Sequence, residues 1–297
     1  MSDRLFDVLM PYYGDVEHMR TAVRSVLGQP GEDWHLTVLD DGYPDPAVAA
    51  WFGTLGDPRV TYLRNEENLG ANRNYVKAVS LATAPYLVMM GADDVMLPDY
   101  LGHMRETVGA YPGAAVVQPG VTVIDGEGRP VDPLTDRVKR WTRPRCTTPA
   151  VLDGDRLAAS LLRGNWTYFP SLCWRTEVVR GVGFRGGLNV VQDLALLLDV
   201  TLAGGSLAVD GRTTFAYRRH AGSDSAVRAL SGDRFREESS YFKQIAGECA
   251  ARGWRRSERA ARAHLTSRVH ALTLLPTALA TGSAAGGARL LGHAFSR

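Results

Sequence analysis

Short apolar runs alternate with helix-period stretches through the first 120 residues, and this alternation is what most constrains the fold. Leu5–Met10, Leu36–Leu39, Val60–Leu63 and Tyr86–Met90 each read as a buried strand. Between them, Val16, Met19, Val23, Val26 and Leu27 recur at spacings of three and four, and a second helical stretch spans Asn72–Leu81. Strands that are apolar on both faces and separated by helices imply an α/β fold, with a mostly parallel sheet flanked by helices. In such sheets ligands gather at the carboxyl ends of the strands.

The pattern changes after Pro119. Val121–Val131 reads as a hairpin with Gly126 and Gly128 in its turn, and Asp132–Pro149, rich in Pro, Arg and Thr, as a long surface loop. A helix over Asp153–Leu162, a strand near Leu172, a helix over Val191–Leu202 and a strand ending at Tyr217 complete the body. From Asp233 onward the pattern is helical, so two units are expected: residues 1–225, and a C-terminal helical appendage over 226–297. Charge follows the same division. Residues 226–297 hold 12 Lys+Arg against 5 Asp+Glu, a net of +7, whereas the rest of the chain carries −5.

Three cysteines far apart (Cys146, Cys173, Cys249) form neither a disulfide framework nor a zinc site. No leader-like segment stands at the N-terminus, and no run of 18 apolar residues occurs. A cytoplasmic protein is expected, with no nucleic-acid partner. Arg252, Arg255, Arg259 and Arg262 share one helical face and are followed by Leu265, Val269, Leu272 and Leu275. Two readings stand: peripheral contact with an anionic membrane surface, or a solvated basic stripe whose apolar side packs on the body.

Polar residues cluster just past each expected strand. They are Pro11-Tyr12-Tyr13-Gly14-Asp15, Asp40-Asp41-Gly42, the run Asn65 to Asn74, and Gly91-Ala92-Asp93-Asp94. One such cluster is an ordinary turn. Four on one sheet edge make a cleft with a base-sized aromatic ring, several carboxylates and an arginine. Tyr13 can stack on a nucleotide base, and Asp40 or Asp41 can accept from base or ribose donors. Arg73 can pair with a phosphate in two-point fashion. The adjacent carboxylates Asp93 and Asp94 repel unless a divalent cation, Mg²⁺ or Mn²⁺, neutralises them; alternatively Asp93 caps the next helix and Asp94 faces water.

Pro11-x-Tyr13, Asp40-Asp41-Gly42, Asn68-x-Gly70-x-x-x-Asn74 and Ala92-Asp93-Asp94-x-x-x-Pro98 resemble the successive motifs of family 2 glycosyltransferases over roughly residues 5–225. The resemblance implies a GT-A, Rossmann-like fold and inverting transfer of a sugar from a nucleotide-diphosphate donor to a hydroxyl-bearing acceptor. That acceptor would be a glycan, a lipid-linked saccharide or a small natural product. It also implies nucleotide-sugar contacts at Pro11, Tyr13, Asp40, Asp41, Asn68, Arg73, Asn74, Ala92 and Asp93, and metal coordination through Asp93 or Asp94. Gly91 stands where the family has an acid.

Farther along, Gln192-Asp193 resembles the family's Glu-Asp at a helix start, which makes Asp193 the candidate general base. In a first helical turn it would be held ionised by the helix dipole. Tyr217-Arg218-Arg219-His220 resembles a segment that closes over the diphosphate, with His220 a candidate for metal or phosphate and Arg218 or Arg219 adding charge. The loop Asn165–Ser171, rich in aromatics, is expected near the acceptor. Gly181-x-Gly183-x-x-Gly186 matches a dinucleotide fingerprint by letters, but it follows a helix and opens none. Two rival functions remain. One is a nucleotidyltransferase, which would want a Gly- and Lys-rich phosphate loop; the other is a non-catalytic nucleotide-sugar-binding relative.

Overall fold

The computed structural model describes residues 4–145, 149–219, 233–280 and 291–292. Its first half follows the alternation in the sequence. Strand β1 (Phe6–Tyr12) leads to helix α1 (Val16–Leu27), β2 (Trp34–Asp40) to α2 (Ala47–Leu55), and β3 (Val60–Arg64) to α3 (Ala71–Leu81). Then come β4 (Tyr86–Met89), the short β5 (Val95–Met96), α4 (Tyr100–Ala110) and β6 (Val116–Ile124). Asp15 starts α1 by accepting the His18 N–H at 2.8 Å, the usual role of an N-terminal carboxylate.

The second half contains α5 (Leu134–Thr142), β7 (Ala150–Leu152), α6 (Gly154–Arg163), a 3₁₀ turn at Phe169–Ser171, β8 (Cys173–Arg175), α7 (Thr176–Val182), α8 (Gln192–Leu202) and β9 (Leu207–Arg218). Helices α9 (Asp233–Ala251), α10 (Arg255–Ala263) and α11 (Leu265–Ala280) follow. Among the described residues one nine-stranded sheet runs β3-β2-β1-β4-β8-β6-β9-β5, with β7 against β9. Strands β1 to β4 are parallel to one another, β6 and β9 pair in parallel, and β8, β5 and β7 insert antiparallel.

Period-two alternation divides the core into two layers. Phe6, Val8, Met10, Leu36 and Val38 point to one face with α1 and α4, while Leu9, Leu39, Leu87 and Met89 point to the other with α6 and α8. The C-terminal helices join the second layer: Tyr241, Phe242, Ile245, Cys249, Ala260 and Ala261 pack in the same cluster as Leu157, Leu161 and Leu197. Asp155 of α6 caps α10 by accepting from the Ser257 N–H at 2.8 Å and its hydroxyl at 2.6 Å. Arg252, Arg255, Arg259 and Arg262 are exposed. So are Leu265, Val269 and Leu272, which form an apolar stripe facing outward; the side chain of Leu275 lies outside the described residues.

One element corrects the sequence expectation. The expected loop Asp132–Pro149 contains α5, and its composition hid the reason. Pro133 sets the helix start, and the helix packs through a single charged residue, the fully buried Asp136, rather than an apolar stripe. The Arg219 guanidinium bonds Asp136, and the Tyr168 hydroxyl donates to it at 2.8 Å. Burial alone would raise the Asp136 carboxyl, but Arg219 and Tyr168 outweigh it and hold the group below the usual carboxylate range.

Candidate active site

The loops after β1, β2 and β4 meet at the carboxyl edge of the parallel strands, and each is shaped by its own polar residues. Asp40 ends β2 and is buried. It accepts from the Tyr43 N–H at 2.7 Å and from the Tyr62 hydroxyl. Asp41, also buried, organises the next loop by accepting from Asn65 Nδ2 at 2.8 Å and from the Leu69 and Gly70 N–H groups at 2.9 Å each. Gly42 follows them at φ +77°, where a Cβ would come within 3.3 Å of the Asn68 nitrogen.

Asn74 is buried and ties the loop down. It accepts from Asn65 at 3.0 Å and donates to the Leu39 carbonyl at 2.9 Å. Asn68 is exposed and accepts from the Gly70 N–H at 3.0 Å. The loop therefore has a rigid inner layer and an open outer surface.

That outer surface carries the groups suited to a nucleotide. Tyr13, next after the Pro11-Tyr12 strand end, is 58% exposed and meets Tyr43 edge to face at 5.5 Å, whereas Tyr12 is buried beneath. Helix α3 opens at Gly70 with no side-chain cap and no acid in its first turn. Arg73 stands in that turn, exposed and without a hydrogen bond or ion pair among the described residues. An uncapped helix start beside a free guanidinium is a favourable place for phosphate.

Beyond β4, the segment Gly91-Ala92-Asp93-Asp94 leads into β5. Asp94 is buried: its Oδ1 accepts from the Arg218 N–H at 2.8 Å, and its Oδ2 has no hydrogen-bond partner among the described residues. Burial and the neighbouring Asp93 charge push its carboxyl well above the usual range. Asp93 is half-buried. A Cβ on Gly91 would lie 2.5 Å from Asp94 Oδ2 and 2.9 Å from Asp93 Oδ1, so the two carboxylates fold back into the space that a side chain at 91 would fill. Arg218 is committed to structure, with its guanidinium donating to the carbonyls of Asp93, Asp125 and Gly126 at 2.7–3.0 Å.

The second half of the chain supplies the remaining wall. Asp193 lies in the first turn of α8, where Asn165 Nδ2 donates to its Oδ2 at 2.9 Å. Gln192 accepts from Asn72 Nδ2 at 2.7 Å, so the starts of α3 and α8 are joined directly. The charges of all three carboxylates reach the half-buried Tyr75, whose hydroxyl is kept un-ionised by desolvation first and then by Asp93, Asp94, Tyr217 and Asp193. His220 lies outside the described residues, and among those described no cluster of three or more His, Cys, Asp or Glu is poised as a complete metal cage.

Tyr75 carried no sequence signal of function, and Asn72 was visible only as a member of the polar run Asn65 to Asn74. Asn165 was visible only as part of an aromatic loop.

Comparison with known proteins accords with this geometry. The model of glycosyl transferase family 2 matches residues 7–162, and the chain belongs to that family. It is 26% identical over 231 residues to the succinoglycan biosynthesis protein ExoO of Rhizobium meliloti, covering 77% of this chain and 65% of that one. It is 29% identical over 103 residues to the UDP-Glc:alpha-D-GlcNAc-diphosphoundecaprenol beta-1,3-glucosyltransferase WfgD of Escherichia coli, covering 34% of this chain and 40% of that one. Among solved structures, S. aureus TarS 1-349 in complex with UDP-GlcNAc superposes with a TM-score of 0.63 at 14% identity, over 81% of this chain and 66% of that one. This likeness shows a GT-A-like fold. The chain spans just under two thirds of the length of ExoO. No helix among the described residues is long and apolar enough to cross a membrane.

Proposed function

We propose that the protein is an inverting glycosyltransferase, moving a sugar from a nucleoside-diphosphate donor to an acceptor hydroxyl in a single displacement. The observation that carries this reading is that Asp193, held by Asn165 at the start of α8, and the Asp93–Asp94 pair after β4 all act electrostatically on one half-buried phenol, Tyr75. The base would stack on Tyr13 and Tyr43, within reach of the remaining lone pairs of Asp40 and Asp41. The diphosphate would lie over the start of α3 and Arg73.

Asp193 would take the proton from the acceptor oxygen as that oxygen attacks the anomeric carbon, with Asn165 holding the carboxylate in line. Attack from the face opposite the leaving diphosphate inverts the centre. WfgD is named for UDP-Glc and TarS is seen in complex with UDP-GlcNAc, so UDP-hexoses are the donors to test first.

A divalent cation, Mg²⁺ or Mn²⁺, fits the residues present. The buried Oδ2 of Asp94, without a hydrogen-bond partner among the described residues and next to Asp93, offers hard oxygen donors of the kind such a cation takes. Asp93 and Asp94 would hold the ion, which would offset the negative charge that develops on the departing diphosphate. Peripheral membrane contact is proposed through the exposed arginines of α9–α11 and the outward stripe Leu265, Val269 and Leu272.

The deciding experiment incubates the protein with UDP-, GDP-, dTDP- and ADP-sugars and Mn²⁺, measuring nucleoside diphosphate release and product configuration by NMR. Release with inversion supports the reading. Retained configuration overturns the single displacement, and binding without release favours a non-catalytic nucleotide-sugar-binding protein.

A further inference from the structure

Resting on that reading, we propose that Tyr75 selects the sugar being transferred. Its phenol hydroxyl donates a hydrogen bond to one hydroxyl of that sugar, which lies between the departing diphosphate and the base. The place of Tyr75 follows from how helix α3 is anchored.

Asn72, one turn earlier on the same face of α3, donates to Gln192 Oε1 at 2.7 Å and to the Leu188 carbonyl at 2.6 Å. Gln192 directly precedes Asp193, so this face of α3 is bonded to the segment that carries the base. Tyr75 itself meets Phe169 edge to face at 5.7 Å and Phe184 at 6.2 Å between ring centroids. Phe169 belongs to the loop from which Asn165 reaches Asp193. Side chains on a helix lean toward its N-terminus. The ring therefore extends from this aromatic wall toward the start of α3, where the diphosphate would lie.

The hydroxyl is left over for a ligand. Tyr75 is half-buried, its oxygen is not sealed from solvent, and among the described residues it makes no hydrogen bond. Tyr12, Tyr100 and Tyr168, by contrast, donate to the Gly14 carbonyl at 3.0 Å, the Ser171 carbonyl at 2.9 Å and Asp136 at 2.8 Å. The charges of Asp93, Asp94 and Asp193 all act on Tyr75, and Asp93 acts more strongly than Asp193. The space at the phenol thus lies between the carboxylate pair and the base, nearer the pair, on the side of the leaving group rather than of the acceptor. The diphosphate is already served by Arg73 and the start of α3, which leaves a sugar hydroxyl as the partner of an uncharged O–H. A half-desolvated O–H group with no protein partner disfavours a sugar that cannot accept from it.

Calorimetry on the full chain, with Mn²⁺ and no acceptor, tests this. The probes are UDP, UDP-glucose and the monodeoxy UDP-glucoses, each lacking one sugar hydroxyl, or the same set on the nucleotide that the donor screen selects. One deoxy analogue is expected to bind the parent roughly three- to ten-fold more weakly than the intact sugar nucleotide, through loss of the Tyr75 bond. Tyr75→Phe should bind the intact compound weaker by the same factor, and that one analogue as well as the parent does. UDP affinity and thermal midpoint should not change, because the oxygen removed has no partner in the chain. A direct bond couples the two deletions in this way, whereas a loosened helix would weaken the whole series alike.

Equal selectivity of the parent and Tyr75→Phe across the deoxy series overturns the inference. A matching loss of UDP affinity in Tyr75→Phe also overturns it, because the hydroxyl would then serve the diphosphate. Failure of every nucleotide sugar to bind the parent would sink the transferase reading along with it. Unchanged selectivity in a protein that still releases nucleoside diphosphate sinks this inference alone.

Discussion

Asn165 donates from Nδ2 to Oδ2 of Asp193 at 2.9 Å, and the other oxygen of Asp193 accepts from the Leu194 N–H at 2.7 Å. The carboxylate is thereby fixed in one orientation at the start of α8. Asp193→Asn keeps the shape and removes the proton acceptor, so sugar transfer should fall by roughly two to four orders of magnitude. Asn165→Ala leaves the base but frees its rotation, and should cost about one to two orders. Nucleotide affinity, measured by calorimetry, should change in neither. Near-normal turnover of Asp193→Asn would show that the base lies elsewhere.

The carboxylate pair makes a prediction with a definite sign. A cation must displace the proton that burial and Asp93 hold on Asp94 above the usual carboxylate range. Apparent Mn²⁺ affinity, followed by water-proton relaxation, should therefore rise with pH until Asp94 is ionised. Asp94→Asn should weaken cation binding and flatten that dependence, and thorough chelation should abolish turnover. Full activity after chelation would mark a metal-independent enzyme and fit Gly91 standing where the family has an acid.

Much of this arrangement was legible in the sequence because it is local. The β1-to-β4 alternation and the polar runs at the strand ends follow from period and order along the chain, while Asp193 stood out through the resemblance of Gln192-Asp193 to a family motif. What stayed hidden is pairing across distance. Helix α5 is held by one buried carboxylate meeting Arg219 from β9, which no periodicity records. Asn72 and Gln192 are ordinary residues until folding brings the starts of α3 and α8 within 2.7 Å. Tyr75 gains its meaning only from the three carboxylate charges that act on it across the fold. Asp40 and Asp41 were read as nucleotide contacts from their motif; their first task here is to shape loops, which the motif alone does not distinguish.

The Asp136–Arg219 pair predicts an acid limb of stability. The Asp136 carboxyl is lower in the folded chain than in the unfolded one, so the pair contributes fully above about pH 4 and is lost as pH falls through the folded value. Asp136→Asn should destabilise the protein at pH 7 by ~2 kcal/mol, allowing for the partial exposure of Arg219. The penalty should shrink below pH 4. A difference in thermal midpoint between variant and parent that stays constant from pH 7 to pH 3 would exclude this role.

The final prediction joins the C-terminal helices to the chemistry. Glu237 of α9 accepts from the N–H groups of Asn189 at 3.0 Å, Val190 at 2.6 Å and Val191 at 3.0 Å. Helix α8 has no side-chain cap of its own at Val191, and this carboxylate holds the N–H groups of the segment that leads into its first turn. It sits at the positive end of the helix whose first turn holds Asp193. Glu237→Gln keeps one acceptor oxygen and loses the charge, whereas Glu237→Ala leaves three N–H groups to water. The alanine variant should lose about 1–2 kcal/mol of stability, the size of lost hydrogen bonds to a charged acceptor. Its rate of transfer should fall, with nucleotide affinity unchanged, because the loop carrying the base loosens while the site at α3 is untouched. Glu237→Gln should fall between the parent and the alanine variant in both rate and stability. If transfer by Glu237→Ala matches the parent at a temperature where both are folded, Glu237 only braces the helices and does not position the base.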